Sequence, residues 1–369
     1  LDTSWPTAYK DQLAACDFCP AGGWIAANNL FFEDLVNWFR GKGVRFDSSN
    51  TTPLGPAEGF NDDRPDFRIR ASKLGDIVSS APVLVGDSLF VGANDGGLHV
   101  YDATIGQSTS GMERFVYIPG ITAGEKTELV EIPYTHKFFV DATPVVRKID
   151  VTSGGSTTEH WLLVGGFAAG GKGFYALDIT NADTVTPGSD QSATVSNMVL
   201  WEYPNLNTTP VDPDIGLTYA RPFIARTKDP SHEWVVIAGN GYNSERGAAV
   251  LYILDALTGA LIKKIDTGDL GQPLATPPQF NGFSTTSVVD VDVDGYPDYA
   301  YAGDLDGNMW KFDLNADNIS SWDVAYSDSG GTAKPLFEAG PDQPITTKPD
   351  VMFHCKEAGY IVVFGTGQF

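Results

Sequence analysis

A chain of 369 residues that is 42% hydrophobic and 12% aromatic can bury a substantial core, and its 40 glycines and 23 prolines are scattered between apolar runs as punctuation between short strands. Its 47 acidic residues against 24 basic ones give a formal charge of −23, which repels phosphate backbones and anionic headgroups, so nucleic acid is excluded as a partner and divalent cations are favoured. The longest apolar runs, 234–239, 248–254 and 361–364, are of strand length, far short of the roughly 20 residues of a membrane helix, so no membrane span is predicted.

The sequence opens at Leu1 with no basic-then-apolar leader, as expected of a processed or excised piece. Cys16-Asp-Phe-Cys19-Pro20 could be a redox motif, a haem attachment or half a zinc site. It lacks the following histidine, the second cysteine pair and the strand-helix context those need, so a local disulfide between Cys16 and Cys19 is preferred, leaving Cys355 unpaired. Further on, Leu30, Phe31, Leu35, Trp38 and Phe39 stand near helical spacing and predict a short amphipathic helix ending at Gly41. A Ser/Thr/Pro/Gly/Asp-rich connection over 47–64 follows. Residues 1–70 are thus read as an N-terminal segment and 71–369 as the main domain.

In the main domain one unit recurs: an apolar strand, a second ending in Gly, a loop, and a third ending in Asp. The second-strand glycines are Gly92, Gly165, Gly239, Gly303 and Gly365. Val91-Gly-Ala-Asn-Asp-Gly-Gly-Leu-His-Val-Tyr-Asp102 aligns with Ala302-Gly-Asp-Leu-Asp-Gly-Asn-Met-Trp-Lys-Phe-Asp313, with Gly, Asp-Gly and aromatic-Asp in register. The first unit reads as strands over 81–85, 89–93, 98–102 and 114–118, and later third strands as 174–178, 250–255 and 309–313. Units of this kind stack radially. The expected fold is all-β, a β-propeller of four-stranded blades with four complete blades and part of a fifth, so the circle is not expected to close within these residues unless an early strand completes it.

Asp290, Asp292, Asp294 and Asp298 occupy positions 1, 3, 5 and 9 of a loop whose sixth residue is Gly295, a spacing that turns alternate side chains to one centre. The backbone carbonyl of Tyr296, at position seven, would add a neutral oxygen. Position twelve is Tyr301 rather than Glu and strands flank the loop, so this is no EF-hand. A metal-free acidic hairpin would set four carboxylates against one another, so a bound calcium ion is expected. Asp304, Asp306 and Asn308 repeat the odd spacing, yet their register with Asn94-Asp95-Gly96 reads better as the turn each blade needs between its second and third strands. His99, His136, His160, His232 and His354 are scattered without metal-like spacing. No nucleophile elbow or phosphate-binding loop is present, so no catalytic residue is assigned.

Leu89 to Asp102 looks like the repeat of quinoprotein propellers and their non-enzymatic relatives. Three further stretches, Gly75-Asp-Ile-Val-Ser-Ser-Ala-Pro82, Gly239-Asn-Gly-Tyr-Asn-Ser244 and the run from Asp290 to Asp313, together resemble the C-terminal propeller of the PilC/PilY type IV pilus-associated adhesins. Residues 136–145 and 365–369 also fit that pattern, and the aspartate loop matches the family's calcium loop position by position. The resemblance implies a secreted, non-enzymatic protein at the pilus tip or outer membrane surface. Its partners would be minor pilins or the pilus tip, with host or abiotic surfaces beyond, in adhesion, twitching motility and calcium-dependent control of pilus extension and retraction. The competing expectation is a quinone (PQQ)-dependent dehydrogenase, which would hold calcium with side chains from several blades and often an adjacent cysteine pair.

Overall fold

A computed structural model describes Arg68 and residues 72–122, 124–130, 133–189, 192–205, 212–271 and 280–367. The predicted helix over 30–40 and the Cys16–Cys19 disulfide lie outside the described residues. Cys355 is exposed and carries no disulfide.

Four sheets follow one another along the chain, each with its strands antiparallel and in sequence order. The first blade holds β1 (Val83–Val85), β2 (Ser88–Gly92), β3 (Leu98–Asp102) and β4 (Glu113–Tyr117). The second holds β5 (Val145–Ser153), β6 (Ser156–Gly165), β7 (Phe174–Asp178) and β8 (Val199–Tyr203). The third comprises β9 (Phe223–Arg226), β10 (Trp234–Gly239), β11 (Val250–Asp255) and β12 (Leu261–Asp266). The fourth comprises β13 (Ser287–Val289), β14 (Tyr299–Gly303), β15 (Asn308–Asp313) and the two-residue β16 (Asp323–Val324), with β17 (Phe337–Glu338) also pairing β15. A two-stranded sheet of β18 (Asp350–Phe353) and β19 (Tyr360–Val363) comes last. The expected strand at 81–85 starts two residues late because the Ala81 N–H donates to Thr143 Oγ1, ahead of the second blade, at 2.8 Å.

Side chains alternate between the two faces of a strand, and here the second, third and fourth blades bury apolar side chains from both faces, the first blade from the face toward the second. Phe90, Leu98 and Val100 pack with Leu163, Tyr175 and Leu177. On the other face of the second blade, Leu162, Val164 and Ala176 meet Val236, Val250 and Tyr252. Ile237, Leu251 and Ile253 then meet Ala300, Trp310 and Phe312, and Tyr301 and Met309 meet Val351 and Val362. Central strands buried on both faces must be apolar throughout, which is why β10 reads Trp-Val-Val-Ile-Ala-Gly with every residue buried.

Polar staples join the same neighbours. Trp234 Nε1 donates to the Asp150 carbonyl at 2.8 Å, Trp201 Nε1 to the Ala256 carbonyl at 2.9 Å, and Arg114 Nη1 to the carbonyls of Asp183 and Val185 at 2.9 and 2.8 Å. Each contributes about 0.5–1.5 kcal/mol net. The aspartate closing each third strand caps the turn after it: Asp102, Asp178, Asp255 and Asp313 each accept the backbone N–H two residues on, at 2.9–3.1 Å. The repeated Asp is therefore a turn residue by chemistry.

Candidate metal centre

The acidic loop joins β13 to β14 at the edge of the fourth blade, held at its base by ladder pairing from Val289↔Tyr299 inward. Asp298 is 2% exposed: its N–H donates to the Val289 carbonyl at 2.9 Å, and its Oδ2 accepts the Val291 N–H at 2.7 Å. Beyond that clamp the chain turns sharply. Val293 has φ 61° and is 82% exposed, and Gly295 has φ 93°, a left-handed value that a residue without Cβ adopts freely. The turn aims backbone donors at the carboxylates: Gly295 N–H to Asp290 Oδ2 at 2.7 Å, Asp294 N–H to Asp290 Oδ1 and Asp292 Oδ1 at 3.2 Å each, and Tyr296 N–H to Asp294 Oδ1 at 3.0 Å.

Asp290, half-buried, and the exposed Asp292 and Asp294 consequently offer one carboxylate oxygen each, the three within 4.8 Å of one another. Two oxygens on a single calcium ion stand no more than about 5 Å apart, so this donor set fits a hard cation of that size. Asp298 is not in the converging group; its carboxylate faces the loop base. Partial desolvation, then the charges of Asp294, Asp298 and Asp290, push the Asp292 carboxyl up from its ordinary range. Asp294 is held below its own by Lys228, whose Nζ lies 2.9 Å from Asp294 Oδ2.

The odd-spaced residues that follow do something else. Asp304, fully buried, accepts Trp310 Nε1–H at 2.7 Å, Asn308 N–H at 2.8 Å, and the side-chain amides of Asn281 and Asn308 at 3.1 Å each. Asp306 is pushed up to about 6 by burial, then by Asp269 and Asp304. This is a turn hub, and among the described residues Asp290, Asp292 and Asp294 form the one grouping of three or more potential ligands. A quinone site would draw its ligands from several blades, whereas these three share one loop.

The sequence left the histidines without roles. His99 is buried between Asp95, at 3.0 Å, and Glu113, at 2.7 Å, and its pKa is raised to about 9 by those hydrogen bonds and charges against an opposing desolvation. His160 and His232 pair with the turn-capping Asp178 and Asp255 at 2.7 and 3.2 Å. A histidine two or three residues ahead of the position paired with the third-strand Asp of its own blade is the one signal that could have found the last two.

Residues 78–369 match the family described as the PilY1 beta-propeller domain. A type IV pilus biogenesis factor PilY1 homolog of Xylella fastidiosa is 34% identical over 91% of this chain and 23% of its own length. Type IV pilus biogenesis factor PilY1 of Pseudomonas aeruginosa is 34% identical over 82% of this chain and 27% of its own. The crystal structure of the P. aeruginosa PilY1 C-terminal domain superposes with a TM-score of 0.55 at 36% identity, covering 76% of this chain and 52% of that one. The chain thus spans about a quarter of the length of the curated relatives it matches. Those relatives are named as pilus biogenesis factors, not enzymes, and among the described residues no helix is long and apolar enough to cross a membrane. With a family match over most of its length and a shared architecture, the chain belongs to the PilY1 β-propeller family.

Proposed function

We propose that this chain is the calcium-binding propeller of a type IV pilus-associated surface protein, acting in adhesion and in the control of pilus extension, retraction and twitching. The single observation that carries the calcium reading is the convergence of Asp290, Asp292 and Asp294 on one strand-flanked loop with Gly295 at its turn. These carboxylates would hold the ion, joined by the Tyr296 carbonyl and by Asp298, since position nine often reaches calcium through a water. Oxygen-only ligation on a loop of several carboxylates favours calcium over magnesium, which demands tighter octahedral geometry. Bound there, the ion would neutralise a local cluster of negative charge and order the blade edge for a partner, such as a minor pilin, at the cell surface or pilus tip. Host or abiotic surfaces are the wider targets.

The functional test is Asp294→Ala in the full-length protein of a piliated bacterium, with its surface amount verified. Twitching and attachment are expected to fall and to lose their response to external calcium. Wild-type twitching and attachment with an unchanged calcium response would refute the reading.

A further inference from the structure

The carboxylate at position five of the loop already has a cation. Lys228, on the connection between β9 and β10 of the third blade, reaches across the blade boundary to Asp294 at 2.9 Å, and its Nζ stands 5.4 Å from the centre of the Tyr296 ring. Asp290 and Asp292, by contrast, are satisfied by backbone N–H groups of their own loop. Arg226 approaches the same ring at 5.9 Å, but its guanidinium is engaged by Glu233 at 3.1 and 2.7 Å. The lysine and aspartate side chains are 30% and 34% exposed, so their pairing is wet and weak, of a kind that exchanges readily.

We propose that Lys228 is the resident counter-cation of the loop, holding Asp294 until a divalent ion displaces it, so that ion occupancy on the fourth blade is coupled to the β9–β10 connection of the third. This inference rests on the reading of the loop as a calcium site. Lys228 opposes the ion twice, by competing for Asp294 and by placing a like charge beside it. Unit charges about 4 Å apart in water interact by about 1 kcal/mol, an effect doubled for a divalent ion and reduced by salt, so losing the lysine charge should tighten calcium binding by about three- to tenfold.

Isothermal calorimetry with calcium chloride on the whole chain tests this, comparing wild type with Lys228→Met, Lys228→Arg and Arg226→Met. A Kd about three- to tenfold lower for Lys228→Met, with Lys228→Arg and Arg226→Met within about twofold of wild type, is the expected pattern. Unchanged or weaker binding by Lys228→Met overturns the proposal, as does equal tightening by Arg226→Met, which would mark a general field rather than an exchange at Asp294. Calcium bound by the wild type but indifferent to Lys228 sinks this inference alone. No calcium heat from either wild type or Lys228→Met removes the calcium site and this inference with it.

Discussion

His99 is 6% exposed with a carboxylate on each ring nitrogen, an arrangement that holds it as imidazolium donating to both Asp95 and Glu113. Its neighbour Lys126, equally buried, donates to the Gly96 carbonyl at 2.7 Å and is pushed down to about 7 by desolvation. The His99 pKa rises from its ordinary 6.5 to about 9, so its stabilising contribution is fully present below pH 6.5 and is lost as pH climbs through 9. At its fullest the contribution is on the order of 3 kcal/mol. Thermal melts of wild type and His99→Gln should therefore differ most near pH 6 and converge by about pH 10. A difference that stays constant or grows with pH would show that the ring acts by packing alone.

The repeated second-strand glycine has a cause at the scale of the element. A Cβ at Gly92 would stand 2.2 Å from the Val140 carbonyl oxygen, at Gly239 2.7 Å from Phe283 Cβ, and at Gly303 2.2 Å from Ile345 Cγ2. In each case the obstacle is the segment leading toward the next sheet, which crosses the strand where a side chain would otherwise lie. At Gly365 the nearest atom is 3.7 Å away. Gly92→Ala should cost about 1–3 kcal/mol of stability, because the backbone it meets must shift. Gly365→Ala, at the same repeat position, should leave the melting temperature almost unchanged, and equal losses at both sites would contradict this account. Gly92, Gly239 and Gly303 and the turn-capping aspartates were legible in the sequence because each answers a constraint that recurs at a fixed offset, whereas a Cβ at Gly165 would meet the Tyr175 side chain of its own blade at 2.3 Å. The third strands β7 and β11 coincide with the expected 174–178 and 250–255 for the same reason. Lys228 on Asp294, or Arg114 on the Asp183 carbonyl, could not be read, since each joins different blades and its partner is set by how the sheets stack rather than by a fixed offset in the chain.

At the scale of the molecule, the apolar clusters of the described residues each straddle two neighbouring sheets, so cohesion comes mainly from stacking and depends little on the acidic loop at the rim, whose ion pair across blades, Lys228–Asp294, is partly exposed. The loop's place between two strands was readable from the apolar runs that flank it, while the withdrawal of Asp298 into the base was not readable from the Asp spacing, because it depends on the Val291 N–H presented by the fold. An ion held at that rim should therefore add local order without being required for folding. Calcium calorimetry on wild type and Asp294→Ala, with thermal melts of both in chelator, tests this most directly. Expected are one calcium per wild-type chain, affinity lower in the variant on the order of tenfold or more, and matching melting temperatures in chelator. Equal calcium affinity in the two proteins would contradict it.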